Sequence, residues 1–116
     1  MGVRRVVPDL TTDRLDETRA FYQDVFGFEV GMDMGWIVTL VSPDNPTTQL
    51  SLFPGGERIQ PHISIEVDDV DAVHEEAVRA GHDVVYGLTD EEWGVRRFFV
   101  RDPGGVVVNV MSHREG

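Results

Sequence analysis

The side chains best suited to chemistry alternate along one short stretch. In Pro61–Val67, Ile63, Ile65 and Val67 fall on one face of an extended strand, and His62, Ser64 and Glu66 fall on the other. An imidazole, a hydroxyl and a carboxylate on one face can hold a ligand by hydrogen bonds. They can also move a proton, with His62 working beside Glu66 or Asp9. Trp36 and Trp93 are the large flat residues, suited to stacking on an aromatic or cationic ligand. Each assignment has a plainer rival. His62 is equally a polar residue held by hydrogen bonds, Asp9 and Glu66 are exposed strand ends, and the tryptophans serve packing or a dimer contact. His74 lies mid-helix beside Glu75 and Glu76, off the apolar stripe, and is expected to be solvated; His113 falls in the tail. There is no nucleophile elbow and no glycine-rich phosphate loop. Asp102-Pro103-Gly104-Gly105 has the composition of a hairpin turn.

The elements that must position these residues come in two similar sets. Arg4–Thr11 is a strand, and Thr12 and Asp13 are expected to cap the helix that follows. Asp16 and Glu17 sit in its positive first turn. Leu15, Phe21, Tyr22, Val25 and Phe26 supply its apolar side, and Gly27 stops it. Strands follow over Phe28–Met32, Gly35–Val41 (with Trp36) and Thr47–Phe53, with a turn at Ser42–Pro46. After the linker Pro54–Gln60 the order repeats. Pro61–Val67 is a strand, and Asp68 or Asp69 caps a helix with the stripe Val70, Val73, Ala77 and Ala80, stopped by Gly81. His82–Tyr86 is a strand, Gly87–Trp93 an acidic loop, Val95–Arg101 a strand, and Val106–Met111 the last strand. The expectation is a single α+β domain over residues 1–116. It is built of two βαβββ modules, 4–53 and 61–112, that form a cupped, incomplete barrel. Neither module is large enough to bury a sheet face alone, so a ligand crevice between sheets is expected.

Composition narrows the function classes. The chain has 116 residues and a net charge of −11, from 21 acidic and 10 basic residues. All the basic residues are arginine. An acidic surface repels nucleic acid and anionic membranes and attracts cations, or serves solubility alone. No cysteine is present, which excludes disulfides and thiolate metal sites. No apolar run is long enough to span a bilayer, and the first residues do not form a signal peptide, so a cytoplasmic protein is expected.

Three segments carry a family resemblance in order and spacing: Arg19-Ala20-Phe21-Tyr22-Gln23-Asp24-Val25-Phe26-Gly27-Phe28, His62-Ile63-Ser64-Ile65-Glu66-Val67-Asp68-Asp69-Val70-Asp71-Ala72, and Phe99-Val100-Arg101-Asp102-Pro103-Gly104-Gly105. With the internal repeat, the chain resembles the vicinal oxygen chelate superfamily. That superfamily includes glyoxalase I, extradiol dioxygenases, fosfomycin-resistance enzymes and bleomycin-binding resistance proteins. The resemblance implies a divalent metal held by His, Gln or Glu on the first, fourth, fifth and eighth strands. Carried over, those positions fall on Val7 (or Val6 with a one-residue shift), Ser51, His62 and Asn109. One ligand type of four survives, so no cofactor and no metal are expected. The same faces would then carry Asp9, Thr11, Gln49, Phe53, Ser64, Glu66, Val107 and Met111.

The resemblance leans toward the bleomycin-resistance branch, through the lost ligands, the acidic charge, Pro8 and the segment Asp71–Glu76. It implies a homodimer that sequesters a small, cationic or aromatic, antibiotic-like ligand, with Asp9, Trp36, Ser51, His62, Glu66, Trp93 and Asn109 as contacts. Two alternatives stand beside it. One is a lyase, isomerase or dioxygenase-like enzyme with a degenerate or absent metal site, and the other is a structural module with no small ligand.

Overall fold

Two α-helices and eight strands follow one another in the order βαβββ–βαβββ, an α+β fold with the repeat read from the sequence. The computed structural model describes residues 2–55 and 59–113. Gly56, Glu57 and Arg58 of the expected linker lie outside the described residues. The chain divides into two compact units. One is Val6–Gln60; the other joins the residues through Arg5 to the chain from Pro61 onward. The N-terminal strand therefore serves both units, a division that the module boundary at residue 4 did not anticipate.

In the first unit, β1 (Val3–Thr11), β2 (Glu29–Asp33), β3 (Val38–Val41) and β4 (Gln49–Phe53) lie in the order β2-β3-β4-β1. β1 runs parallel to β4, with Asp9 opposite Ser51, and the other pairs are antiparallel. Val38, Leu40 and Leu52 form the core against α1 (Leu15–Phe26), joined by Leu10, Leu15, Tyr22 and Phe28. Only Leu15 and Tyr22 of the expected helix stripe reach that core. Phe21, Val25 and Phe26 remain exposed, because they project from the flank and the last turn of a helix that buries none of its residues. Nor do Thr12 and Asp13 cap it as expected. Arg14 occupies the N-cap, while the Thr12 hydroxyl accepts from the Arg14 N–H at 3.0 Å and meets the Thr18 hydroxyl at 2.8 Å. Gly27 ends the helix in the left-handed region, φ 78°, its N–H donating to the Gln23 carbonyl at 3.0 Å.

The second unit repeats this topology with β5 (Ile63–Val67), β6 (Asp83–Asp90), β7 (Val95–Arg101) and β8 (Val107–His113) in the order β5-β8-β7-β6. β5 runs parallel to β8, as β1 does to β4. Val67, Val70, Phe98 and Val110 form its core, with Ile65, Val73, Ala77, Val84, Leu88, Val100 and Val108 around them. α2 (Val70–Arg79) is capped as expected by Asp69, whose carboxylate accepts from the Ala72 N–H at 3.1 Å. Ala80, expected in the buried stripe, is the exposed C-cap residue. His74 corrects the expectation of a solvated residue. Its ring meets Phe98 edge-on at 4.9 Å, because it stands one turn after Val70 and completes the apolar sector. β6 extends through Asp90, so the expected loop Gly87–Trp93 shrinks to a turn closed by a bond from the Glu91 N–H to the Val95 carbonyl at 2.7 Å. No helix among the described residues is long and apolar enough to cross a membrane.

Candidate functional site

Strand alternation gives each sheet one face against its helix and one facing away. In the first unit the outward face carries Val7, Asp9, Ser51, Phe53 and Thr39. Asp9 is half-buried in register with Ser51, and Thr39 stands opposite Ser51 on the other side. The buried Ser51 and Thr39 hydroxyls lie 3.3 Å apart, so each meets the other's hydrogen-bonding need. Trp36 is not on the third strand. It lies in the exposed turn between β2 and β3, where the Asp33 carboxylate accepts from the Gly35 N–H at 2.9 Å and from Arg19 at 3.1 Å. Those two bonds, the backbone one first, hold the Asp33 carboxyl below its ordinary range. A cleft of about 330 Å³ lined by Arg14, Glu17, Thr18, Phe21 and Tyr22 lies along α1, away from this face.

The outward face of the second unit carries more chemistry. Ser64, Asn109, Phe99 and Tyr86 form one row across β5, β8, β7 and β6, and Glu66, Met111 and Arg97 form the next. Asn109 donates from Nδ2 to the Ser64 hydroxyl at 2.9 Å, while its Oδ1 is buried and accepts no hydrogen bond among the described residues. Glu66 accepts from Arg5 Nε at 2.5 Å and lies 3.1 Å from His113 Nδ1. Burial pushes the Glu66 carboxyl up, but the bonds to His113 and Arg5 and the Arg5 charge outweigh it, so its pKa falls below the usual value. Glu66 is thus already matched to a cation, and His113 belongs to β8 and not to a tail.

Arg97 is the group that the sequence reading missed. Its guanidinium lies 4.8 Å from the centre of the Phe99 ring, 5.2 Å from Trp93 and 5.4 Å from Tyr86. Nε donates to Glu91 Oε2 at 2.6 Å, and the Tyr86 hydroxyl donates to the same oxygen at 3.0 Å. Cation–π contacts of this kind are worth ~0.5–2 kcal/mol each. Trp93 is therefore part of a cluster around the protein's own cation. Strict alternation of Val95, Arg97 and Phe99 along β7 was the available signal.

The four positions that the resemblance assigns to metal ligands do not fit a divalent ion. Val7 is a buried hydrocarbon, Ser51 is tied to Thr39, and Asn109 offers only a neutral amide. His62 is not on β5. It sits just before that strand, exposed, where its N–H donates to the Val107 carbonyl at 2.8 Å and its Nδ1 accepts the Val107 N–H at 3.1 Å. That bond commits Nδ1 to the backbone of the neighbouring strand. Among the described residues no three His, Cys, Asp or Glu side chains gather as a metal site would require.

Paired βαβββ units, each with its first strand parallel to its last, define a class of fold that hosts both enzymes and binding proteins. The chain belongs to the Glyoxalase/Bleomycin resistance protein/Dioxygenase superfamily, whose profile matches residues 3–110. Among solved structures it is similar to a member of that superfamily from Vibrio splendidus, at 20% identity and TM-score 0.73, over 93% of this chain and 97% of that one. It is also similar to methylmalonyl-CoA epimerase from Mycobacterium tuberculosis, at 19% identity and TM-score 0.72, over 98% of this chain and 89% of that one. The Streptomyces coelicolor methylmalonyl-CoA epimerase in complex with 2-nitronate-propionyl-CoA matches at 20% identity and TM-score 0.69, over 97% and 94%. At these identities the likeness is one of fold. No curated protein sequence matches the chain.

Proposed function

We propose that the protein is a small-molecule-binding member of its superfamily that works without a bound metal and takes a flat organic ligand, antibiotic-like in character. The observation that carries this reading is the fate of the four ligand positions. They hold Val7, Ser51, Asn109 and a His62 whose Nδ1 is committed to the Val107 N–H. Recognition chemistry is meanwhile retained on the face that carries Tyr86, Phe99, Arg97 and the unbonded Asn109 carbonyl. The net charge of −11 favours cations at long range. At short range Glu66 and Trp93 face Arg5 and Arg97, so aromatic character has more support than positive charge. A homodimer is part of the proposal, supported by the small size of each unit and by the exposed Phe21, Val25 and Phe26 on α1.

The test is a titration of the chelator-treated protein with anionic, neutral and cationic aromatic compounds, followed by tryptophan fluorescence, with the ligand recovered and checked by NMR. Saturable binding that chelation leaves intact, with the ligand unchanged, is expected. Binding that disappears on chelation and returns with zinc, nickel or manganese would overturn metal independence. Chemical conversion of the ligand would make the protein an enzyme.

A further inference from the structure

Arg97 is held in place without being fully used. Its Nε is bonded to Glu91 and its flat face is packed against rings, yet among the described residues neither terminal nitrogen has a hydrogen-bond partner. A guanidinium fixed through Nε presents its two terminal N–H groups side by side, the geometry that matches both oxygens of a carboxylate. Next to it is a group of opposite need. Arg97 leans over Phe99, whose backbone is in register with Asn109 on the neighbouring strand, ~5 Å away by ordinary strand spacing. Asn109 Oδ1 is buried and accepts nothing among the described residues, although its own Nδ2 is engaged by Ser64. An unmet buried acceptor is costly, and a ligand donor would relieve that cost.

We propose that the terminal N–H groups of Arg97 hold the carboxylate of a small aromatic acid, while Asn109 Oδ1 accepts from a hydroxyl or amide N–H beside that carboxylate. This rests on the binding reading above for the face involved, and it replaces the expected cationic ligand with an anionic one. The Tyr86, Trp93 and Phe99 rings already shield the guanidinium from water, which strengthens its pairing with an anion.

Mandelate is the probe, since it carries a ring, a carboxylate and an adjacent hydroxyl. Benzoate lacks the hydroxyl, and benzylamine reverses the charge. In a Trp36→Phe background Trp93 is the single tryptophan, and it reports from beside the guanidinium. Mandelate is expected to change Trp93 emission saturably, benzoate more weakly, and benzylamine not at all. Arg97→Met should weaken mandelate at least tenfold and Arg97→Lys by less, because lysine keeps the charge inside the cluster without the paired donors. Asn109→Ala should erase the advantage of mandelate over benzoate. Equal binding of benzylamine, unchanged affinity in folded Arg97→Lys and Arg97→Met proteins, or no saturable response to either acid would overturn the proposal. Aromatic binding that ignores both charge and Arg97 would sink this inference and leave the function reading standing. Conversion of bound mandelate would do the reverse.

Discussion

The two units are the same topology with their weight in different places. The second seats its helix firmly: Asp69 caps it, Val70 is buried, and His74 closes on Phe98. The first holds a longer helix by Leu15 and Tyr22 and leaves a face of Phe21, Val25 and Phe26 outside. The outward sheet faces differ in the same sense. One is quieted by a pair of hydroxyls, and the other carries two part-buried ion pairs and a ring cluster. The two units therefore share a backbone plan and meet burial and polarity separately, with the buried hydroxyl pair in one and the part-buried ion pairs in the one whose helix is better anchored.

Substitution can break this contrast. Phe98→Ala removes a fully buried ring and the partner of His74, and it should cost about 3–5 kcal/mol by urea unfolding. Phe21→Ala should change stability by under ~0.5 kcal/mol if its exposure persists in solution. A loss comparable to that of Phe98→Ala would mean that the α1 face is covered, as in a dimer, and light scattering would then give twice the 13.0 kDa chain mass.

Glu66→Gln removes the carboxylate charge from the part-buried Arg5–Glu66 pair, at an expected cost of about 1–3 kcal/mol near neutral pH. The sign of its pH dependence follows from the lowered carboxyl pKa. The carboxylate's contribution is complete above the unfolded value of 4.5 and fades as pH falls through the folded one. The wild type should therefore lose stability on acidification faster than Glu66→Gln, and parallel acid limbs in the two unfolding profiles would refute the pairing. A smaller effect sharpens the helix comparison. Asp69→Ala should cost about 1 kcal/mol through the lost cap, while Asp13→Ala should cost almost nothing, since Arg14 and not Asp13 occupies the N-cap of α1.

The sequence was most legible where periodicity is local. The alternation of β5 and β8 placed Ser64, Glu66, Asn109 and Met111 on one face, and the register bears that out. β7 was placed over Val95–Arg101, as observed, and the turn at Asp102 closes as its composition suggested. What escaped depends on partners distant in the chain. Glu66 looks like an available carboxylate until Arg5, 61 positions away, is brought beside it. His62 looks like a ligand until the backbone of Val107 occupies it. Period-two alternation assigns a face and cannot say who else arrives there. Trp36 differs for another reason: the apolar run that suggests a strand from Gly35 onward begins in a turn, whose Gly35 adopts φ 83°.

The split of β1 between units carries a consequence for how the chain becomes a protein. During synthesis Arg5 emerges well before its partner Glu66, which follows 61 residues later with most of the first unit made in between. Closing a loop of that length costs about 2 kcal/mol more entropy than closing one a tenth as long. The bonds of Gly2 and Arg5 to Asp68 and Glu66 should accordingly form late in refolding, after local hairpins have set. The opening residues would then act as a clasp on a unit whose remaining sequence lies more than fifty positions downstream. Trimming them should hasten the opening of that unit and spare the one that follows them directly in the chain.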